Sequence, residues 1–274
     1  MEPMATDASK TAPEADLTGW TCEPFTAAGY THDVYYKGSG PGVVLIPEMP
    51  GVHPGVLALG NYLVDNGFTV AIPSLYGTPG ASARSPKLVP TMLRGCVAKE
   101  FAALALNKER PVANYLRALA RDLNAKTPGK GVGVIGQCFS GGFALAAAVD
   151  DSVLASVLSQ PSVPIALTGA HKRDPGFSEQ EMKVIEKRAA DGNLCAMGLR
   201  FSGDAMAPAE RFATLKARLG DNFEAIELDS SPGNDGGFGR MAHSVLTLEV
   251  REREGQQAYE ARKRMMEFLK ERLG

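Results

Sequence analysis

Cys138 stands in the run Val132-Gly-Val-Ile-Gly136-Gln-Cys138-Phe-Ser140-Gly-Gly142, which reads as a buried strand turning sharply into a helix. A turn of this kind holds its central side chain out at the tip and forces that residue into a strained backbone geometry. It needs small residues two positions to either side, because helix and strand pass close together, and Gly136 and Ser140 meet that need. The helix that follows points free N–H groups at the sulfur, which favours thiolate and can stabilise an oxyanion beside it. The chemistry on offer is nucleophilic attack by cysteine.

Two other readings of this segment are open to test. Gly131, Gly133 and Gly136 fit G-x-G-x-x-G, but a dinucleotide site needs those glycines in the loop after a strand, and here Val132, Val134 and Ile135 are the strand. Ser140 could be the nucleophile of a serine esterase, although cysteine then stands two residues before it where glycine is expected. Cys22, Cys96 and Cys195 have no glycine punctuation around them and read as small buried hydrophobes.

A thiol enzyme needs a base to take the proton and an acid to fix the tautomer of that base. Both should come from loops after later strands. The apolar run at residues 195–201 leads into Ser202-Gly203-Asp204, with Pro208 opening the next helix. The run at residues 223–228 is followed by a glycine-rich loop and then Ala242-His243-Ser244. The order nucleophile, acid, base is that of α/β-hydrolases. Asp204 can also be read as a helix N-cap. Oxyanion donors are expected at the backbone N–H of Phe139 and, from the early loop Pro47-Glu48-Met49-Pro50, at that of Met49, since Pro50 has none. Glu48 is then an acid beside the nucleophile; its alternative is a solvated loop carboxylate.

These residues need a framework. Apolar strand patterns fall at residues 30–36, 43–46, 68–72, 132–135, 153–158, 195–201 and 223–228. Helical patterns fall between or after them, at residues 55–66, 112–124, 141–149, 178–190, 207–219 and 256–273. Such alternation predicts an α/β fold, a mostly parallel central sheet with helices on both faces and the site beyond the carboxyl ends of the strands. Residues 1–18 are predicted to be a flexible tail and residues 19–274 a single domain, with an insertion-like segment at residues 81–107.

The chain of 274 residues is 44% apolar and carries a net charge of −2, so it can bury a large core and gives no electrostatic reason to bind nucleic acid or an anionic membrane. Cysteine spacings of 74, 42 and 57 residues match neither a disulfide framework nor a zinc site. The N-terminus lacks a basic start and an apolar core of a leader, no apolar run is long enough to span a bilayer, and a cytoplasmic enzyme is expected. Monomer and homodimer remain open.

With these residues in view, the chain resembles the dienelactone hydrolases, or carboxymethylenebutenolidase-like proteins, of the α/β-hydrolase superfamily. The resemblance rests on Ile46-Pro-Glu48-Met-Pro-Gly51, Gly136-Gln-Cys138-Phe-Ser-Gly-Gly142, Gly203-Asp204, Pro208 and His243. It implies a triad of Cys138, His243 and Asp204, no metal or other cofactor, and hydrolysis of a small-molecule lactone or activated ester through a thioester acyl-enzyme. It also implies that Glu48 contacts the resting thiol and tunes activity. The chain departs from the family pattern at Ser140, near Pro50 and around His243, which puts dienelactone itself in question as substrate. Arg84, Arg94 and Arg240 are candidates to meet a substrate carboxylate. A binding protein that keeps the fold without catalysis is the alternative from another class.

Overall fold

The computed structural model describes residues 11–83, 91 and 98–274. Eight strands form one sheet in the order β1-β2-β4-β3-β5-β6-β7-β8. They are β1 (Thr21–Ala27), β2 (Tyr30–Gly38), β3 (Gly42–Ile46), β4 (Thr69–Pro73), β5 (Val132–Gln137), β6 (Val153–Ser159), β7 (Cys195–Phe201) and β8 (Phe223–Leu228). β1 and β2 pair antiparallel at one edge, β2 pairs antiparallel with β4, and every pairing from β4 to β8 is parallel. The expected α/β-hydrolase architecture is present.

Each predicted strand is found. β1 is an addition, because its residues are largely exposed and give no buried-strand pattern. Its backbone is satisfied by register pairing with β2, Thr21 opposite Tyr36 through Ala27 opposite Tyr30. Cys22 lies on this strand and is exposed, and Cys195 at the start of β7 is half-buried, so neither is the fully buried hydrophobe expected of it. Cys96 lies outside the described residues.

In β3 every residue is buried, and alternation of side chains sends Val44 and Ile46 to one face and Val43 and Leu45 to the other. Each such side chain contributes about 1.5–3 kcal/mol by leaving water. The Val44 and Ile46 face is covered by α2 (Pro111–Lys126), α3 (Gly141–Ala147), α5 (Glu179–Ala190) and α6 (Ala209–Leu219), with the short α4 (Gly169–Arg173) beside α6. The other face is covered by α1 (Pro54–Asp65) and α7 (Gln257–Leu273). The apolar stripe Ala258, Ala261, Met265 and Leu269 docks α7 at helical spacing. α5 starts with a capping box in which Glu181 Oε2 accepts from the Ser178 N–H at 2.6 Å.

The catalytic candidates therefore emerge where the theory of open parallel sheets places them, beyond the carboxyl ends of β3, β5, β6, β7 and β8.

Candidate active site

β5 ends at Gln137 and the chain passes through a single 3-10 turn, Cys138–Ser140, directly into α3. Cys138 has φ of 51°, a left-handed conformation that a cysteine adopts only where its surroundings impose it. The surroundings are tight. A Cβ on Gly136 would lie 2.4 Å from the carbonyl oxygen of Ser140, and one on Gly141 would lie 2.5 Å from Cα of Pro161. Ser140 is fully buried beneath the turn, where its Oγ accepts from the Gln137 N–H at 3.0 Å. The same oxygen is 2.9 Å from the Gln137 carbonyl, 3.0 Å from that of Pro47 and 3.2 Å from that of Ile46. Ser140 thus ties the elbow to the early loop, and Cys138 is left half-buried at the tip.

Asp204 follows β7 and uses its two oxygens for different tasks. Oδ1 accepts from the N–H groups of Met206 (2.9 Å) and Ala207 (3.3 Å), which closes the turn that leads to the next helix. The helix itself begins at Ala209 with Pro208 in the N-cap position, so Asp204 is not its N-cap. Oδ2 is 2.7 Å from Nδ1 of His243 and fixes the orientation of that ring. With Nδ1–H donating to the carboxylate, Nε2 of His243 is turned toward Cys138. Burial alone would pull the imidazole down, but the hydrogen bonds to Asp204 and Cys138 and their charges push it up to about 10.

Glu48 is not a solvated loop carboxylate. It is 1% exposed and takes four side-chain hydrogen bonds. Oε1 accepts from Nε2 of His53 at 3.2 Å and from the Thr247 hydroxyl, and Oε2 accepts from the hydroxyl of Ser244 at 2.8 Å and from Nε2 of Gln160 at 3.2 Å. His53 is the N-cap of α1, and its Nδ1 accepts the N–H of Gly55, so Nε2 carries the hydrogen given to Glu48. Burial would raise the Glu48 carboxyl, yet His53, Thr247 and Ser244 together hold it below the ordinary value. The carboxylate joins the early loop, the start of α1, the end of β6 and the loop that carries His243.

Three residues of the site carry no sequence signal of their own. Ser162 follows β6, and its Oγ is 3.8 Å from Sγ of Cys138 and 3.5 Å from Nε2 of His243. Gln160 has φ of 36° and donates to Glu48 while accepting from the Val245 N–H at 3.3 Å. Tyr76 gives its hydroxyl to the Pro47 carbonyl, and its ring meets Phe139 edge-on with centroids 5.9 Å apart. Phe101 extends this aromatic wall, 5.3 Å from Phe139 and 6.0 Å from Phe143. A serine or glutamine after a strand is common, so only the fold distinguishes these.

Of the expected carboxylate-binding arginines, Arg240 is exposed and Arg84 and Arg94 lie outside the described residues. Among the described residues no group of His, Cys, Asp and Glu is arranged to hold a metal ion, and no helix is long and apolar enough to cross a membrane.

Comparison with known proteins bears on the fold and the family. The family profile described as dienelactone hydrolase family matches residues 29–273. No curated protein matches the chain. Among solved structures, a protein of Klebsiella pneumoniae subsp. pneumoniae MGH 78578 assigned as a dienelactone hydrolase has a TM-score of 0.60 at 18% identity, covering 92% of this chain and 98% of that one. The dienelactone hydrolase-like promiscuous phosphotriesterase P91 from metagenomic libraries has a TM-score of 0.62 at 15% identity, covering 93% and 98%. A cold-adapted esterase from an Arctic intertidal metagenomic library has a TM-score of 0.55 at 13% identity, covering 95% and 97%. At these identities the structures speak for the fold alone, and the profile, spanning the elbow and all three triad candidates, speaks for descent: the chain belongs to the dienelactone hydrolase family, hydrolases of esters and lactones.

Proposed function

We propose that this hydrolase cleaves a lactone or activated carboxylic ester with Cys138 as nucleophile, His243 as base and Asp204 as the group that orients the base. The observation that carries the reading is Cys138 at the tip of a strained elbow, with the Nε2 side of an Asp204-bound imidazole turned toward its sulfur. The thiolate adds to the ester carbonyl, and the oxyanion takes hydrogen bonds from the N–H groups of Phe139 and Met49. Collapse expels the alkoxide, which receives its proton from His243, and leaves a thioester on Cys138. Water activated by His243 then releases the acid. Such a free thiol suits a reducing compartment.

Glu48 supports this machinery from behind, because Ser244, its 2.8 Å donor, is the neighbour of His243. A serine esterase through Ser140 is disfavoured by the complete burial of that hydroxyl among three carbonyl oxygens.

The test is intact-protein mass spectrometry during turnover of p-nitrophenyl acetate and of a simple enol lactone, with the adduct mapped to its residue. An acyl group on Cys138, formed and lost at the rate of turnover, is the expected result. An acyl group on Ser140, or hydrolysis that survives full alkylation of Cys138, overturns the assignment.

A further inference from the structure

The Ser162 hydroxyl lies within reach of both reacting atoms, 3.8 Å from Sγ of Cys138 and 3.5 Å from Nε2 of His243. Its position is built. The Ser162 N–H donates to the Cys138 carbonyl at 2.9 Å, so the loop after β6 is tied to the nucleophile's own peptide. Pro161 presses against Gly141, where a single added Cβ would not fit. Below, the buried guanidinium of Arg211 on α6 donates to the carbonyls of Pro161, Pro164 (2.7 Å), His171 (2.9 Å) and Asp174 (2.7 Å), and so braces both sides of Ser162. This is a large investment of buried polar groups in one short turn.

A hydroxyl has one hydrogen and two acceptor lone pairs. The Gln160 carbonyl, 3.0 Å away, is the nearest acceptor for that hydrogen. The lone pairs of Oγ are then left to accept from a group beside Sγ and Nε2. We infer that Ser162 is a catalytic residue of the second half-reaction, holding the hydrolytic water beside the thioester. This rests on the reading of Cys138 as nucleophile.

Once the sulfur is acylated and no longer paired with the imidazole, a water beside Ser162 gives one hydrogen bond to Nε2 of His243 and the other to Oγ of Ser162. Its oxygen lone pair is then free to face the acyl carbon on Cys138. As the water oxygen bonds to that carbon, its proton passes to Nε2. The tetrahedral intermediate collapses with cleavage of the C–S bond, and the imidazolium returns the proton to sulfur. Ser162 ends the step with the hydrogen it began with. Acylation needs none of this, since thiolate and imidazole act on the ester directly. The hydroxyl should therefore matter to one half-reaction and not the other.

Rapid mixing with p-nitrophenyl acetate separates the two. For Ser162→Ala we expect a burst rate within about threefold of the wild type, deacylation slowed about tenfold or more, and a thioester that accumulates on Cys138 in the mass spectrum. Ser162→Thr, which keeps the hydroxyl, should recover most of the deacylation rate. Both variants keep the backbone N–H that anchors the loop. The pH profile of Cys138 alkylation should be unchanged in Ser162→Ala. Equal loss of both half-reactions, unchanged deacylation, or a shifted alkylation profile would each overturn the inference while leaving Cys138 as nucleophile. A wild-type protein that forms no acyl group on Cys138 would instead overturn the nucleophile assignment, and the inference with it.

Discussion

Ser244, the residue that follows His243, donates a 2.8 Å hydrogen bond to Glu48 in the loop after β3. The loop that carries His243 is thereby fastened to a carboxylate that arrives from the opposite end of the sequence. Thr247, His53 and Gln160 complete the set of donors, and the carboxylate has no exposed surface left to speak of.

Removing that carboxylate strands four buried donors. Glu48→Ala is expected to cost about 3–5 kcal/mol, read as a lower urea midpoint, with Glu48→Gln less damaging because it keeps the shape. The Glu48 carboxyl is depressed in the folded state, so its contribution is complete above about pH 4.5 and fades as pH falls below that ordinary value. The stability gap between wild type and Glu48→Gln should narrow in the same acid range. A gap independent of pH would show that the charge on Glu48 contributes nothing.

Cys138 and Ser140 should respond in opposite ways to substitution. Cys138→Ser is expected to lose at least about a hundredfold in turnover, because hydroxyl is far harder to ionise than thiol. Ser140→Ala removes the acceptor of the buried Gln137 N–H and should cost about 1–3 kcal/mol of stability, with turnover per folded molecule largely kept. Steady-state rates scaled to the folded fraction decide between them.

Gly136 tests the elbow itself. A methyl group there meets the Ser140 carbonyl at 2.4 Å, and that oxygen belongs to backbone that cannot swing aside. Gly136→Ala should destabilise by about 3 kcal/mol and lower turnover together. A Gly136→Ala protein with wild-type melting temperature and rate would refute the geometry.

His243 should titrate late. With the imidazole pushed up to about 10, its charge stabilises the folded protein fully below the ordinary 6.5 and ceases to do so as pH rises through about 10. Nitrogen-15 NMR of the histidines in wild type, Cys138→Ser and Asp204→Asn follows this directly. Both variants remove a partner that favours the cation, so the His243 midpoint should fall in each. Asp204→Asn should also cut turnover by about a thousandfold or more, through loss of the tautomer.

Much of the site was legible one element at a time. Glycine and serine around Cys138 state a steric need that only a crowded turn creates. The positions of Asp204 and His243 after successive parallel strands follow from where such sheets expose side chains. The central strands were found by their burial, and the partly buried β2 and β8 by their strand patterns; β1, largely exposed, gave no such pattern, since its order comes from pairing with β2. Glu48 was legible as an acid near the nucleophile, but not as the acceptor of four buried donors.

Sequence alone determined the alternation of strands and helices, the elbow and the types of its chemical partners, because each is written in local spacing and in the steric demands of glycine. Tertiary structure alone decided the rest. Ser162 meets His243 across 81 residues of chain, and Glu48 meets Thr247 across 199. Contacts at such separations depend on sheet order and on how buried polar groups find partners, and no local pattern of residues encodes either.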